Sequence, residues 1–353
     1  MALRFCDSFD HYATADFALK GWTTGGGFGS GPQVVAAAAR TGTNGVRSNS
    51  ASAAQTFMIR SVSAASGTTA IIGYARKYAT VAVQELMFSF RLSGTVQFTL
   101  YQNTDGSMTA YRGGGEASTP SGGTSLGSSA ASVLTTGSQY IELKVVIDTG
   151  TSGSFEVRIN GANVLSATGI NTAGAGSSGW NSFRLGIFGS AAGDGLDDFY
   201  VCDGSGSYNN DFLGDIKVEC KVASSGDGSN ADWTPSTGTD NGAMVDEASY
   251  DGDTTYNSSS TVSQKDTYNF AALSSTGAVK AVQHGTFARK TDAGLRAICS
   301  VARHSGVDYD GSNVYLGTTY TAVLRVMEEN PGTAAPWTIA GVDGAEFGQK
   351  VTV

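Results

Sequence analysis

The sequence predicts an all-β protein, and three observations carry that prediction. Glycine supplies 48 of the 353 residues, about twice its usual share of roughly 7%, whereas proline supplies only 5. Most of these glycines stand among Ser, Thr and Asn, where tight turns need the positive φ angles that glycine adopts without steric cost. Segments of alternating apolar and polar residues recur between the turns, and helical patterns are nearly absent. Many short strands with frequent turns indicate a β-sandwich.

The first half contains the clearest strands. Residues 86–92, 95–102, 140–148, 154–160, 182–188 and 196–202 all show a period of two residues. In the segment 154–160, Phe155, Val157 and Ile159 share one side, as expected of a strand with one buried face. Two turns join strands into hairpins, at residues 103–106 and at Asn160-Gly161. The best helical segment, residues 13–19 before Gly21, is a turn or two long.

A turn-rich stretch poor in apolar residues, 202–210, predicts a domain boundary. We therefore expect one domain over residues 1–206 and a second, smaller β-sandwich-like domain over residues 207–353. Strands of the second half are expected at residues 215–222, 279–283, 295–301, 320–327 and near 338–342.

Composition excludes several classes of protein. The net charge is −9, only 15% of residues are charged, and lysines and arginines form no cluster, so we expect no nucleic-acid partner. The N-terminal residues carry acids and lack an apolar core, so a signal peptide is not expected. No apolar run reaches the roughly 18 residues of a membrane span. The four cysteines lack the CxxC spacing of a zinc site.

Known catalytic motifs are missing. Glu142 and Glu156 are single acids on alternating strands, which predicts solvated outward side chains and not the paired carboxylates of a glycosidase. The three histidines are far apart in sequence, and no GxSxG elbow occurs. The glycine run at 25–31 lacks the Gly-Lys-Ser/Thr of a phosphate loop. The sequence therefore predicts a protein that is not an enzyme and needs no cofactor.

Calcium is the one ion for which ligands are present. Asp246, Glu247, Asp251 and Asp253 stand close together in a predicted loop, and such oxygen ligands suit Ca²⁺, although a solvated turn is the alternative. Two weaker candidate groups are Asp194 with Asp197 or Asp198, and Asp308 with Asp310. Asp197 and Asp198 are adjacent on a predicted strand, so they should point to opposite faces. The aromatic residues are spread along the chain and predict no sugar-stacking platform.

The succession TVQFTLYQNTDGSMTAYRG, YIELKVVID, GSFEVRINGANVLSATGI and SFRLGIFGSAAGDGLDDFYVCD resembles the concanavalin-like or laminin-G-like jelly roll over residues 1–203. The resemblance implies a jelly-roll β-sandwich for the N-terminal domain. In such sandwiches the first and last strands commonly pair, and here RFCDSF and DFYVCDG would be those strands. The resemblance therefore implies that Cys6 and Cys202 lie near each other, as thiols or as a disulfide.

A second resemblance covers both ends and the junction between the halves. ALRFCDSFDHYAT, LDDFYVCDGSGSYNNDFLGDIKVE, DWTPSTGTDNGAMVDEASYDGDTTY and AVLRVMEENPGTAAPWTIAGVDGAEFGQKV resemble virion proteins of tailed bacteriophages. The resemblance implies a non-enzymatic tail, fibre or capsid-surface component, with the C-terminal domain docking into the particle. The implied partners are other virion proteins and copies of the same chain. The alternative is a receptor-recognition module that binds host-surface glycans.

Overall fold

The structure is a computed structural model that describes residues 2–25, 31–49, 56–62, 67–174, 176–187, 189, 191 and 193–353. The chain divides into two compact units. The first consists of Met1–Asp10 and Trp22–Val218, and the second of His11–Gly21 and Glu219–Val353. Whether residues 1–206 and 207–353 fold independently stays a prediction. The glycine run at 25–31 falls largely outside the described residues.

Over its described residues, the first unit consists of β-strands and one short 3-10 helix, Ala36–Ala38. Its strands are β1 Leu3–Asp7, β2 Thr23–Gly25, β3 Pro32–Val35, β4 Gly45–Ser48, β5 Thr56–Ser61, β6 Thr69–Tyr78, β7 Glu85–Leu92, β8 Thr95–Gln102, β9 Met108–Arg112, β10 Thr124–Ser128, β11 Gly137–Val146, β12 Gly153–Ile159, β13 Ala162–Ile170, β14 Ser182–Ile187 and β15 Gly195–Asp203.

These strands form two antiparallel sheets. The first sheet has eight strands in the order β13-β12-β11-β6-β15-β4-β3, with β1 paired to β15, and the second sheet has seven strands in the order β10-β9-β8-β7-β14-β5-β2. Aromatic side chains join the sheets: the ring centroids of Phe98 and Phe155 are 5.4 Å apart, and those of Phe183 and Phe199 are 5.3 Å apart. The predicted all-β jelly-roll sandwich is confirmed.

Both predicted hairpins are present. Gly106 N donates to Asn103 O in the turn between β8 and β9, and β12 pairs with β13 across Asn160-Gly161. Asn160 and Gly161 have φ angles of 49° and 81°, which explains the Asn-Gly pair because this turn needs positive φ at both residues.

The second unit is also built of strands. They are β16 Thr234–Pro235, β17 Asn257–Ser258, β18 Lys265–Tyr268, β19 Val282–Ala288, β20 Ala297–His304, β21 Val307–Asp310, β22 Val314–Tyr315, β23 Thr321–Met327, β24 Glu329–Asn330, β25 Ala335–Pro336 and β26 Glu346–Val351. The 3-10 helices Thr14–Asp16 and Gly242–Met244 and the helix α1, Ile339–Asp343, complete this unit.

A five-stranded sheet, β18-β26-β20-β21 with β22 paired to β20, holds the main core of the second unit. Phe347 and Trp337 pack there with ring centroids 5.9 Å apart. Two sequence predictions are corrected here. Residues 338–342 were expected to be a strand, but Thr338 accepts a hydrogen bond from Gly341 N and so caps the helix α1. Residues 215–222 belong to none of the strands described, although their residues alternate.

Each sheet of the first unit has an inner face in the sandwich and an outer face. A segment that we call the strap, residues 207–218, lies on the outer face of the first sheet. Gly214 N donates to Glu142 Oε1 over 2.8 Å, and Leu213 N donates to the Tyr200 hydroxyl over 3.1 Å. The strap replaces solvent on this face, so the prediction of a solvated Glu142 is wrong: the residue is 1% exposed.

Candidate functional site

The outer face of the second sheet presents polar side chains from its central strands. Alternation along β7, β8 and β14 sends the phenylalanines into the sandwich and the intervening residues outward. The outward residues are Ser89 and Arg91 on β7, Gln97, Thr99 and Tyr101 on β8, and Arg184 on β14. Ser89, Gln97, Thr99 and Tyr101 are nevertheless at most 1% exposed. Something must therefore cover this face.

The cover is the connection between β9 and β10, residues 113–123, which we call the cover loop. Its first residue donates from Gly113 N to Gln97 O over 2.8 Å. The Tyr101 hydroxyl donates to two of its carbonyls, Gly115 O at 2.7 Å and Ala117 O at 3.2 Å. These contacts hold the cover loop on the outer face and remove the tyrosine from water.

Glu116, in the cover loop, places its carboxylate against the outer face of the second sheet. Its Oε2 lies 3.1 Å from Arg184 Nη1, and its Oε1 lies 3.5 Å from Arg91 Nε. The Ser89 hydroxyl donates to the same Oε1. The Glu116 side chain is only 9% exposed, and those of Arg184 and Arg91 are 14% and 22% exposed. Two guanidinium groups and one hydroxyl thus converge on a single carboxylate.

Several polar atoms around this carboxylate lack hydrogen bonds. Within the described part of the chain, no group hydrogen-bonds to the buried atoms Gln97 Oε1, Arg91 Nε and Arg184 Nε. Arg184 also stacks on Phe57, with its guanidinium carbon 3.8 Å from the ring centroid. Buried polar atoms are normally satisfied, so these are places where a polar ligand could bond.

Burial shifts the pKa values of two groups here. Removal from water, followed by the charge of Glu116, raises the pKa of Tyr101 to about 12, so its phenol stays protonated at neutral pH. Burial lowers the pKa of Arg184, while Glu116 opposes that change. Arginine remains charged throughout the physiological range. The arrangement therefore offers two cations, a phenol donor and an unsatisfied amide oxygen.

A cleft of about 430 Å³ lies at the two ends of the cover loop. Arg112, Gly113 and Gly114 line it from one end of the loop, and Gly123 and Thr124 line it from the other. Thr149, Asn171 and Ala173 line its other side, and its lining does not include Arg91, Arg184 or Glu116.

Inside the sandwich lies a separate polar group that does not reach this face. Arg76 Nη2 is 3.5 Å from Glu85 Oε1, and both side chains are almost fully buried. Burial raises the pKa of Glu85 to about 7, although Arg76 opposes the shift. The stability of the fold should therefore depend on whether Glu85 in this buried pair is protonated.

The four predicted calcium ligands, all of them described in the structure, do not form one cluster. Asp253 forms an ion pair with Arg289 at 2.9 Å and accepts a hydrogen bond from Tyr320. Glu247 and Asp251 both accept from the Thr255 hydroxyl, at 2.6 and 2.7 Å, and Asp246 is exposed. Among the described residues, no group of three or more His, Cys, Asp or Glu side chains has the arrangement of a metal site.

The weaker acidic groups have structural partners. Asp197 Oδ2 accepts from Arg40 N at 2.7 Å, and Asp198 pairs with Arg40 Nη1 at 3.1 Å. The expectation that these two acids point to opposite faces is wrong, because β15 has a bulge between Asp197 and Tyr200 that turns both carboxylates toward Arg40. Asp194 accepts from Ala79 N at 3.0 Å.

Asp308 and Asp310 also have ion-pair partners. Asp308 pairs with Lys265 and Arg303, and Asp310 pairs with Lys350. Glu156, predicted to face outward on its strand, pairs there with Arg158 at 2.6 Å and is 30% exposed.

The strands that carry Cys6 and Cys202 are neighbours. In the pairing of β1 with β15, Cys6 lies opposite Tyr200, and Cys202 lies opposite Leu3. All four cysteines are thiols in the structure. A disulfide between Cys6 and Cys202 stays a prediction.

No family model and no curated protein matches the sequence. Solved structures do resemble it. An endo-β-1,4-glucuronan lyase from the fungus Trichoderma reesei is 12% identical, with a TM-score of 0.39 over 52% of this chain and 92% of the lyase. An alginate lyase from Chlorella virus is 12% identical, with a TM-score of 0.37 over 52% and 93%. The conserved carbohydrate esterase from Shiga toxin-encoding bacteriophage phi24B is 12% identical, with a TM-score of 0.35 over 56% and 98%.

These comparisons contradict two of the sequence predictions. The chain was expected to be a non-enzymatic bacteriophage component, or alternatively a glycan-binding receptor module, yet the similar structures include polysaccharide lyases and a carbohydrate esterase. The prediction that the chain is not an enzyme is wrong on the same finding. A search for closely spaced motifs could not detect a site whose residues come from separate strands and a loop.

Sequence reasoning missed Arg91, Arg184, Glu116, Gln97 and Tyr101 as a group. One signal was available: two glycine pairs, Gly113-Gly114 and Gly122-Gly123, flank a single acid in a loop otherwise made of small residues. Among the described helices, none is long and apolar enough to cross a membrane.

Proposed function

We propose that this chain binds and processes a polysaccharide that carries carboxylate groups, such as a polyuronate, on the outer face of its second sheet. One observation carries the proposal: Arg91, Arg184 and Ser89 already converge on a carboxylate, that of Glu116. Groups that bind a glutamate carboxylate in this way can bind a sugar carboxylate by the same contacts.

The recognition is specific for charge and for polar substituents. The planar guanidinium groups match carboxylate oxygens, and their partial burial strengthens the attraction relative to water. Gln97 Oε1, which has no hydrogen bond from the described residues, can accept one from a sugar hydroxyl. A neutral glucan has no anion to replace the Glu116 carboxylate at the arginines, so it should bind far more weakly.

The arrangement supplies one part of a β-elimination, the stabilisation of charge on the sugar carboxylate. In this reaction a base removes the proton from the carbon next to the carboxylate, a double bond forms between that carbon and its ring neighbour as the neighbour's bond to the bridging oxygen breaks, and that oxygen takes up a proton. Arginines at the carboxylate stabilise the negative charge that develops there. Burial raises the pKa of Tyr101 to about 12, so its phenol is protonated at neutral pH and serves as a hydrogen-bond donor, here to the carbonyls of the cover loop.

The test is incubation of the purified chain with alginate, polygalacturonate, hyaluronan and neutral dextran. New reducing ends report any cleavage, and ultraviolet absorbance reports the double bond formed by elimination. Arg184→Gln should reduce polyuronate binding about a hundredfold, on the scale of a lost charged pair. Arg158→Gln removes an arginine from a Glu–Arg pair on the other sheet and should leave binding unchanged. Absence of binding and cleavage with all acidic polymers would overturn the proposal.

We also propose that the chain is carried on a bacteriophage particle, where it would meet host-surface polysaccharide. The support is the sequence resemblance to virion proteins over both ends and the junction. Mass spectrometry of purified particles should detect the chain in a fixed number of copies. If gradient purification separates the chain completely from the particles, this part of the proposal is contradicted.

A further inference from the structure

The cover loop is held closed by polar contacts that another polar molecule can replace. Its sequence, GGGEASTPSGG, contains no large apolar side chain. Its polar contacts with the face beneath are the Glu116 carboxylate with Arg91, Arg184 and Ser89, the two carbonyls that accept from Tyr101, and Gly113 at its base. Opening the loop therefore exposes no large apolar side chain of the loop itself, and its cost is the separation of the Glu116 contacts and the exposure of Tyr101.

Both ends of the cover loop contain glycines with positive φ angles, so the backbone can change direction there. Gly113 and Gly114 have φ angles of 64° and 93°, and Gly122 and Gly123 have φ angles of 63° and 84°. Other residues rarely adopt such angles, whereas glycine passes between positive and negative φ at little cost. Glycine pairs at both ends are typical of segments that move as a unit between two hinges.

We infer that Glu116 is a built-in competitor for the ligand carboxylate: in the unliganded chain it occupies the two-arginine site and holds the cover loop shut, and a polyuronate opens the loop by displacing it. The inference rests on the proposed function, because it assigns a regulatory role to the same site. It follows from the geometry that Glu116 and a ligand carboxylate cannot both lie between Arg91 and Arg184, where Glu116 is already 3.1 Å from one and 3.5 Å from the other.

The competition has a measurable size. If the open form is present in about one molecule in ten, the apparent Kd of a ligand is about ten times its intrinsic value. Glu116→Gln removes the negative charge but keeps the size of the side chain, so it should weaken the closed form and lower the Kd for polyuronate about tenfold. The amides of residues 113–123 should exchange with solvent faster in this variant even without ligand.

Glu156→Gln is the matched control. Glu156 also pairs with an arginine, Arg158, but on the first sheet and away from the cover loop. This variant should leave both the Kd and the amide exchange of the cover loop at the wild-type values. Titration calorimetry with alginate oligosaccharides gives the Kd, and hydrogen exchange followed by mass spectrometry gives the state of the loop.

The outcomes separate the inference from the proposed function. Tighter binding and faster loop exchange in Glu116→Gln support the inference. Equal binding of alginate oligosaccharides by wild type and Glu116→Gln would overturn it and leave the proposed function standing. If neither wild type nor Glu116→Gln binds any acidic saccharide, the proposed function is overturned. The displacement of Glu116 by a polyuronate is then overturned with it. Unchanged exchange of the cover loop in Glu116→Gln would separately overturn the claim that Glu116 holds the loop shut.

Discussion

The two outer faces of the sandwich bury a glutamate in different ways. On the first sheet, Glu142 lies beneath the strap and accepts hydrogen bonds from the Tyr200 hydroxyl at 2.6 Å and from Gly214 N at 2.8 Å. On the second sheet, Glu116 belongs to the covering segment itself and pairs with two arginines. The first acid is part of the sheet, and the second is part of the cover.

The strap and the cover loop also differ in the contacts that hold them on their sheets. The strap is anchored by packing and charge: the Arg158 guanidinium lies 4.1 Å from the Phe212 ring centroid, and Lys144 pairs with Asp211 at 3.0 Å. The cover loop is anchored by one carboxylate and a few carbonyls. Neutral donors fixed in the backbone suit a permanent structure, whereas a carboxylate between two arginines can be exchanged for another anion. Under the proposed function, the first face is structural and the second binds the ligand.

The largest expected effect is on the first face. Glu142→Ala removes the acceptor for the buried Tyr200 hydroxyl and the half-buried Gly214 N and opens a cavity, so the free energy of unfolding should fall by about 3 kcal/mol. Denaturant titration measures this change. Glu116→Ala should lower the free energy of unfolding by only about 1 kcal/mol, because the arginines that it leaves, 22% and 14% exposed, can be hydrated. Equal losses for the two variants would remove the distinction between the faces.

A pH titration adds a third buried acid, Glu85, inside the sandwich. Burial raises its pKa to about 7 from the ordinary value of 4.5, so between these pH values the folded chain binds more protons than the unfolded chain. The contribution of Glu85 to stability is therefore complete below about pH 4.5 and is lost as the pH rises to about 7, at no more than roughly 1.4 kcal/mol per pH unit. Glu85→Gln should flatten this slope. If the free energy of unfolding had the same pH dependence in wild type and Glu85→Gln, the raised pKa of Glu85 would be contradicted.

The anchors of the two covering segments can be compared directly. Phe212→Ala removes the ring beneath Arg158 and should lower the free energy of unfolding by about 1 kcal/mol. Thr119→Ala in the cover loop should change it by less than about 0.5 kcal/mol. Denaturant titrations of the two variants, run side by side, measure the difference, and a larger loss for Thr119→Ala would show that the cover loop is the more firmly held.

The smallest expected effect on ligand affinity concerns one hinge glycine. Gly122 has a φ of 63° and no atom within 4 Å of an added Cβ, so Gly122→Ala strains the closed loop through its backbone alone. We expect the Kd for alginate oligosaccharides to fall a few fold, because the closed form loses about 1 kcal/mol. Gly161→Ala, with a φ of 81° and equally open surroundings, is the control and should leave the Kd unchanged. Weaker binding by Gly122→Ala would contradict the hinge.

Local sequence by itself determined several strands of the first unit and the two predicted hairpins. Alternation over residues 154–160 and the Asn160-Gly161 pair define β12 and its turn, because side-chain direction in a strand and positive φ in a turn depend on neighbouring residues alone. Residues 215–222 show where this reasoning fails. They alternate as a strand would, but Val218 among them donates its backbone N–H to the Asp198 side chain and not to a neighbouring strand.

Only the tertiary structure decided what lies on the outer faces. Arg91 and Arg184 are separated along the sequence and become neighbours because β7 pairs with β14, and Glu116 joins them because the cover loop folds back over β8. Likewise, the strand pattern predicts that Glu142 is solvated, but the residue is buried because the strap covers it. A strand pattern states which way a side chain points, but what it meets there depends on segments far away in sequence.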